Sequence, residues 1–151
     1  MPELRSLRLA VVVCAADARA LDALVAPGHA ARLLRTAPDE LLLVAPADVG
    51  DAVEREVRDR IAAVDADALV LDASDGWHAW ALRGDDATRG LAYLTALDAP
   101  APGAWVQGDV AGVGAIVLGE DAGFTIVVPA FHGEHIRARA VRDALATERA
   151  G

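Results

Sequence analysis

Apolar residues recur along this chain with two different spacings, which predict strands and helices in turn. A period of two near the N-terminus predicts a first strand over about Leu7–Cys14, and it is carried by Leu7, Leu9, Val11 and Val13. From Asp48 or Asp51 onward, successive apolar residues are four and finally three positions apart, which is the spacing of one face of a helix. This second stripe consists of Val49, Val53, Val57, Ile61 and Val64.

The pattern as a whole predicts two similar halves. Residues 7–74 have the element order β-α-β-β-α-β, which is the ferredoxin-like split βαβ arrangement. Residues 77–148 have the order β-α-β-β-α with one additional strand. We therefore expect an α+β fold, a single domain over residues 1–151 with subdomains at about 7–74 and 77–148. Each subdomain would be a ferredoxin-like β-α-β-β-α unit with helices packed on an antiparallel sheet. The two units would be joined at an Asp75-Gly76 hairpin.

The predicted hairpin follows from the dipeptide Asp75-Gly76, which is flanked by two strand-forming runs in Leu69–Gly84. A two-residue type I′ turn needs positive φ at both central positions, and Asp-Gly favours it. With a two-residue loop, Ser74 would pair with Trp77, and Leu71 with Trp80. The core face would then carry Leu69, Leu71, Ala73, His78, Trp80 and Leu82. The opposite face would carry Val70, Asp72, Ser74, Trp77, Ala79 and Ala81.

Charge and hydropathy exclude several classes of partner. The formal net charge is −9, so the clustered cations that bind nucleic acid or an anionic membrane surface are not expected. The longest apolar runs, Leu9–Ala16 and Ala111–Leu118, are far shorter than the roughly 20 residues of a membrane-spanning helix. Cys14 is the single cysteine, which excludes an internal disulfide, and a cytoplasmic location is the default expectation.

The candidate chemistry near the hairpin favours structure over catalysis. Asp72, Ser74 and His78 have the residue types of a catalytic triad, but the predicted register places His78 on the face opposite to Ser74. We expect Asp72 and Ser74 to bond backbone amides at the turn, together with Asp75 and Gly76 as a structural joint. No catalytic residue is expected.

Four further residues are candidates for a ligand site or an interface. His132 and His135 stand three apart at a helix start, a weak metal signal without other His or Cys nearby, and no metal site is expected. Trp77 and Trp105 fit a protein interface, since tryptophan is favoured there, and equally fit partly buried residues that close a small core.

Three stretches resemble a known family in the same order and at similar spacing. They are Ala37–Leu43 (APDELLL), Leu71–Gly76 followed by Leu82–Ala87 (LDASDG and LRGDDA), and Phe124–Pro129 (FTIVVP). In these the chain resembles the gamma-subunit family of heterotetrameric sarcosine oxidase, which is related to the folate-binding aminomethyltransferase fold. The resemblance implies an accessory, non-catalytic subunit that packs on larger oxidase-type subunits. It also implies that those subunits, and not this chain, hold the flavins, the NAD and the folate.

Two other interpretations stay open at the level of sequence. One is a stand-alone protein that binds folate or another small molecule, including a small enzyme of a one-carbon or biosynthetic pathway. Asp72, Ser74, Trp77, His132 and His135 would line its pocket. The other is a homodimer that buries Trp77 or Trp105.

Overall fold

The computed structural model describes residues 2–150, and the side chains of residues 2–142. The chain forms two compact units. The first unit is Arg8–Asp75, and the second unit combines Met1–Leu7 with Gly76–Gly151. The chain begins with strand β1 (Glu3–Leu7), which belongs to the second unit.

The first unit is a four-stranded antiparallel sheet with two helices. Its elements are β2 (Leu9–Ala15), α1 (Ala18–Asp22), β3 (Arg32–Ala37), β4 (Glu40–Pro46), α2 (Gly50–Ala62) and β5 (Leu69–Asp72). The strand order β3-β4-β2-β5 places β4 between β3 and β2, as in the ferredoxin-like arrangement. The α+β class with antiparallel ferredoxin-like units is therefore confirmed.

The core of the first unit lies between the sheet and helix α2. Val53, Val57 and Ile61 of the predicted stripe are buried, whereas Val64 is 62% exposed because α2 ends at Ala62. Outside the buried stripe, Arg58 pairs with Glu54, and Arg60 pairs with Glu56. Such i,i+4 pairs support the helix by a few tenths of a kcal/mol, roughly 0.2–0.5 each.

The second unit has a five-stranded antiparallel sheet. After β1 its elements are β6 (Trp77–Arg83), α3 (Ala87–Leu94), β7 (Trp105–Val110), β8 (Val113–Glu120), β9 (Gly123–Pro129) and α4 (Gly133–Ala150). The strand order is β1-β6-β9-β8-β7, so β1 occupies the place beside β6 that β5 occupies beside β2. One face of this sheet packs on both helices, with Trp80, Leu91 and Ile136 in the core.

The predicted Asp75-Gly76 hairpin is wrong. Strand β5 pairs with β2, with Leu71 opposite Val13, and β6 pairs with β1 and β9 in the other sheet. Ser74–Gly76 forms a short 3₁₀ turn, and neither Asp75 nor Gly76 has the positive φ of a type I′ turn. The chain does pass from one unit to the other here, but Leu71 is 48% exposed rather than packed opposite Trp80.

The predicted first strand is also divided. Residues on the two sides of Arg8 belong to different sheets, since β1 ends at Leu7 and β2 begins at Leu9. Cys14 lies on β2 and is fully buried. Burial raises the pKa of its thiol, and the Asp65 carboxylate raises it further, which keeps the thiol protonated. No helix in the described part of the chain is long and apolar enough to cross a membrane.

Candidate interaction surface

Asp72 and Ser74 form a closed hydrogen-bonded joint at the end of β5. One Asp72 carboxylate oxygen accepts from the Ser74 backbone amide at 2.9 Å and from the Ser74 hydroxyl at 2.5 Å. These two bonds lower the pKa of Asp72 below its usual value. The Ser74 oxygen in turn accepts from the Val11 amide at 3.0 Å. The hydroxyl is thus engaged as donor and as acceptor, and the arrangement is that of a structural turn.

His78 takes its neighbours from the second unit. Its ring lies 4.8 Å from the ring of Trp80, and its Nε2 lies 3.4 Å from the Ser6 hydroxyl. Gly133 abuts it so closely that an added Cβ would stand 2.8 Å from the imidazole Cγ. The predicted core face is correct for His78, Trp80 and Leu82, because all three side chains lie on the face of the sheet that packs on the helices. Trp80 and Leu82 are buried there, and His78 is half-buried at the margin of the core.

The link between β9 and α4 presents an aromatic side chain that sequence reasoning missed. Residues 130–132 form a 3₁₀ turn beside β6, and Phe131 on this turn is 81% exposed. Two hydrogen bonds hold the turn in place: the Trp80 indole donates to the Gly133 carbonyl at 3.0 Å, and the Gly133 amide donates to the Ala130 carbonyl. We call residues 130–132 the aromatic turn. In the sequence, Phe131 lies between the strand-ending Pro129 and the start of a helix, and this position could have indicated an exposed aromatic side chain.

The two histidines predicted as candidates have different surroundings. The His132 ring lies against that of Phe131 in a tilted arrangement, with centroids 4.1 Å apart and an interplanar angle of 47°. His135 Nε2 donates to the Ala111 carbonyl at 2.7 Å and so ties the first turn of α4 to the β7–β8 turn. Within the described residues, no group of three or more His, Cys, Asp or Glu side chains is placed to hold a metal ion.

Both candidate tryptophans are half-buried in the second unit. Trp77 begins β6 opposite Pro129, immediately before the aromatic turn. Trp105 begins β7, one of the two edge strands of the sheet, opposite Leu118. The structure thus brings Trp77 and His132 to the same end of the second unit and leaves Trp105 on a different strand edge.

A cleft of about 580 Å³ lies in the second unit at the start of α3 and the β8–β9 turn. Its lining includes the carboxylates Asp85, Glu120 and Asp121 and the apolar residues Pro100 and Phe124. None of the five residues predicted to line a small-molecule pocket contributes to this cleft.

Comparisons with known proteins relate the chain to others by structure. No protein-family profile matches the sequence, and no curated protein matches it significantly. A chain of the heterotetrameric sarcosine oxidase from Corynebacterium sp. U-96 superposes with a TM-score of 0.77 and 18% identity, over 94% of this chain and 83% of that one. Aminomethyltransferase T of the glycine cleavage system from Bartonella henselae gives 0.65 and 16%, over 95% of this chain but only 46% of that one. The resemblance to the sarcosine oxidase gamma-subunit family, and to the related aminomethyltransferase fold, is thereby confirmed at the level of the fold.

Proposed function

We propose that this chain is an accessory, non-catalytic module that packs on a larger flavin- and folate-dependent partner in one-carbon metabolism of the sarcosine type. The observation that carries the proposal is the superposition on a chain of a heterotetrameric oxidase over 94% of this chain and 83% of that one. Flavin, NAD and folate would be bound by the partner subunits.

Two features of the described residues support an assembly role. The Ser74 hydroxyl donates to Asp72 and accepts from the Val11 amide, so the two side chains are arranged as a structural turn and not as a free nucleophile beside its base. Phe131 is exposed on a turn held by a buried hydrogen bond, and rigidly presented aromatic side chains are typical of protein interfaces.

The proposal is tested by co-expressing the tagged chain with each open reading frame next to its gene. We expect a stable complex with an oxidase-type subunit, flavin absorbance in the complex, and no flavin absorbance in the chain purified alone. If the chain purifies without any of these proteins and remains monomeric in sedimentation, the accessory role is excluded.

The likeness to aminomethyltransferase T favours a second candidate, a stand-alone protein that binds folate or another small molecule. The cleft beside α3 is the place to test it. Isothermal titration with tetrahydrofolate should then give heat. Ala122→Trp, which adds a large side chain to the lining of the cleft, should reduce that heat, whereas Ala47→Trp, at an exposed position of the first unit, should not. Absence of heat with the unsubstituted chain would remove this candidate.

A further inference from the structure

Two exposed leucines lie on β5, an edge strand of the first unit. Leu69 is 52% exposed and Leu71 is 48% exposed. Residues directly opposite each other on neighbouring strands share a face, so Leu69 lies beside Ala15, and Leu71 beside Val13, both half-buried. These four apolar side chains form one strip, which we call the leucine edge.

The backbone along this edge is partly closed to an added strand. The Ala73 amide donates to the Val11 carbonyl, so the alternation of an antiparallel ladder directs the backbone groups of Leu71 and Leu69 toward β2. The backbone groups of Val70 therefore face outward. The Arg58 guanidinium donates to the Val70 carbonyl at 3.0 Å, and Arg58 is itself paired with Glu54. A cationic side chain at the centre of a four-residue edge strand opposes strand addition, so a partner would meet side chains here.

The leucine edge is flanked by negative charge. Asp65 and Asp67 precede β5, Asp72 is its last residue, and Asp75 follows it. The hydrogen bonds from Ser74 keep Asp72 ionised, because they lower its pKa. The first unit as a whole has 13 acidic residues and 7 arginines, a net charge of −6. An apolar strip within an acidic surface is complementary to an apolar surface flanked by cations.

We propose that the leucine edge is the docking surface for the larger partner, and that the partner's matching surface is apolar and flanked by Lys or Arg. This inference rests on the proposed accessory function. A second copy of this chain fits the surface less well, since it would bring the same carboxylates against these ones, and like charges across an interface are unfavourable.

The decisive experiment compares two double variants in the complex with the co-expressed partner subunit. Leu69→Ser with Leu71→Ser removes the strip, and Val25→Ser with Val64→Ser is the matched control. Val25 and Val64 are 70% and 62% exposed in the same unit but outside the strip. The two half-exposed leucines together offer about one leucine side chain for burial. We therefore expect the Kd to rise about ten- to hundredfold for the leucine variant and less than about twofold for the control.

A charge variant provides an independent measurement. Asp67→Asn with Asp75→Asn should slow association at low salt and flatten its salt dependence, because the carboxylates attract the partner's cations. Asp48→Asn with Asp59→Asn, which removes the same charge elsewhere in the first unit, is the control. Circular dichroism establishes that each variant is folded.

Each result decides one of the two proposals. A Kd unchanged by the leucine variant, or lowered affinity in Phe131→Ser instead, would overturn the leucine edge and leave the accessory function standing. Failure of the unsubstituted chain to bind any partner would overturn the accessory function itself. A homodimer in sedimentation that the leucine variant dissociates would replace the heterologous partner by a second copy.

Discussion

Replacing Ser74 by alanine should destabilise the first unit, because the Ser74 hydroxyl makes two hydrogen bonds. It accepts from the Val11 amide and donates to the Asp72 carboxylate. In the ladder between β2 and β5, the Ala73 amide donates to the Val11 carbonyl, but the Val11 amide donates to the Ser74 hydroxyl oxygen. Val11 is 1% exposed, so Ser74→Ala leaves a buried amide without its acceptor. An orphaned amide costs about 1–3 kcal/mol, and partial access of water at half-buried Ser74 favours the lower half of that range.

The same substitution should change the response to acid. The Ser74 hydroxyl and amide lower the pKa of Asp72, so the folded state favours the carboxylate. This stabilisation is fully present above the unfolded pKa of about 3.9 and is lost as the pH falls through the lower folded pKa. Without the hydroxyl, Asp72 keeps only the backbone donor. The difference in stability between the unsubstituted chain and Ser74→Ala should therefore be larger at pH 7 than at about pH 3.

Urea unfolding followed by circular dichroism measures both effects. Ser6→Ala is the matched control, because the Ser6 hydroxyl is exposed and makes only a 3.4 Å contact with His78. We expect Ser74→Ala to lose about 1–2 kcal/mol, and Ser6→Ala to stay within about 0.5 kcal/mol of the unsubstituted chain. Equal stability of the two alanine variants at pH 7 would refute the hydrogen-bonding argument.

Three other substitutions, two of them paired with a control substitution, have outcomes that the structure specifies, each measurable by urea denaturation. Gly119→Ala should cost about 1–3 kcal/mol or more, since its Cβ would lie 2.1 Å from a backbone carbonyl oxygen, whereas Gly76→Ala has no atom within 4 Å and should be nearly neutral. Ile61→Ala should cost about 2–5 kcal/mol because the side chain is 1% exposed, and Val64→Ala less than about 0.5 kcal/mol. Trp80→Phe should cost about 1–3 kcal/mol, because its indole donates a buried hydrogen bond to a backbone carbonyl.

Each of these three has a clear contrary result. Equal losses at the two glycines would exclude the steric explanation for Gly119. A large loss for Val64→Ala would mean that the helical stripe continues past the end of α2. A neutral Trp80→Phe would show that the indole hydrogen bond contributes nothing net.

Local features of the sequence were sufficient for many elements. The stripe of α2 follows from the helical period, and the Asp17 carboxylate accepts from the Arg19 amide as expected of an N-cap. The Ala111-Gly112 turn between β7 and β8 has positive φ at both residues, as a type I′ hairpin requires. These features depend on residues within a few positions of each other, so their energetics are contained in a short stretch of sequence.

The pairing partners of β5 and β6, in contrast, are not determined by local sequence features. A backbone ladder can form with any strand of suitable length, so the Asp-Gly signal between two strands does not determine whether they pair with each other. Pairing with β2 completes one sheet and pairing with β1 and β9 completes the other, and both arrangements join residues far apart in the chain. The exposure of Leu69 and Leu71 follows from the position of β5 at the edge of its sheet.

By itself, then, the sequence determined the α+β class, the helices, most strand positions and the family resemblance, because periodicity, caps and turn residues act locally. Only the tertiary structure decided that Asp75-Gly76 links two sheets, that β1 joins the second unit, and that leucines lie on an edge flanked by carboxylates. The physical reason is that strand pairing and burial are properties of a whole sheet, and each strand's best partner depends on all the others.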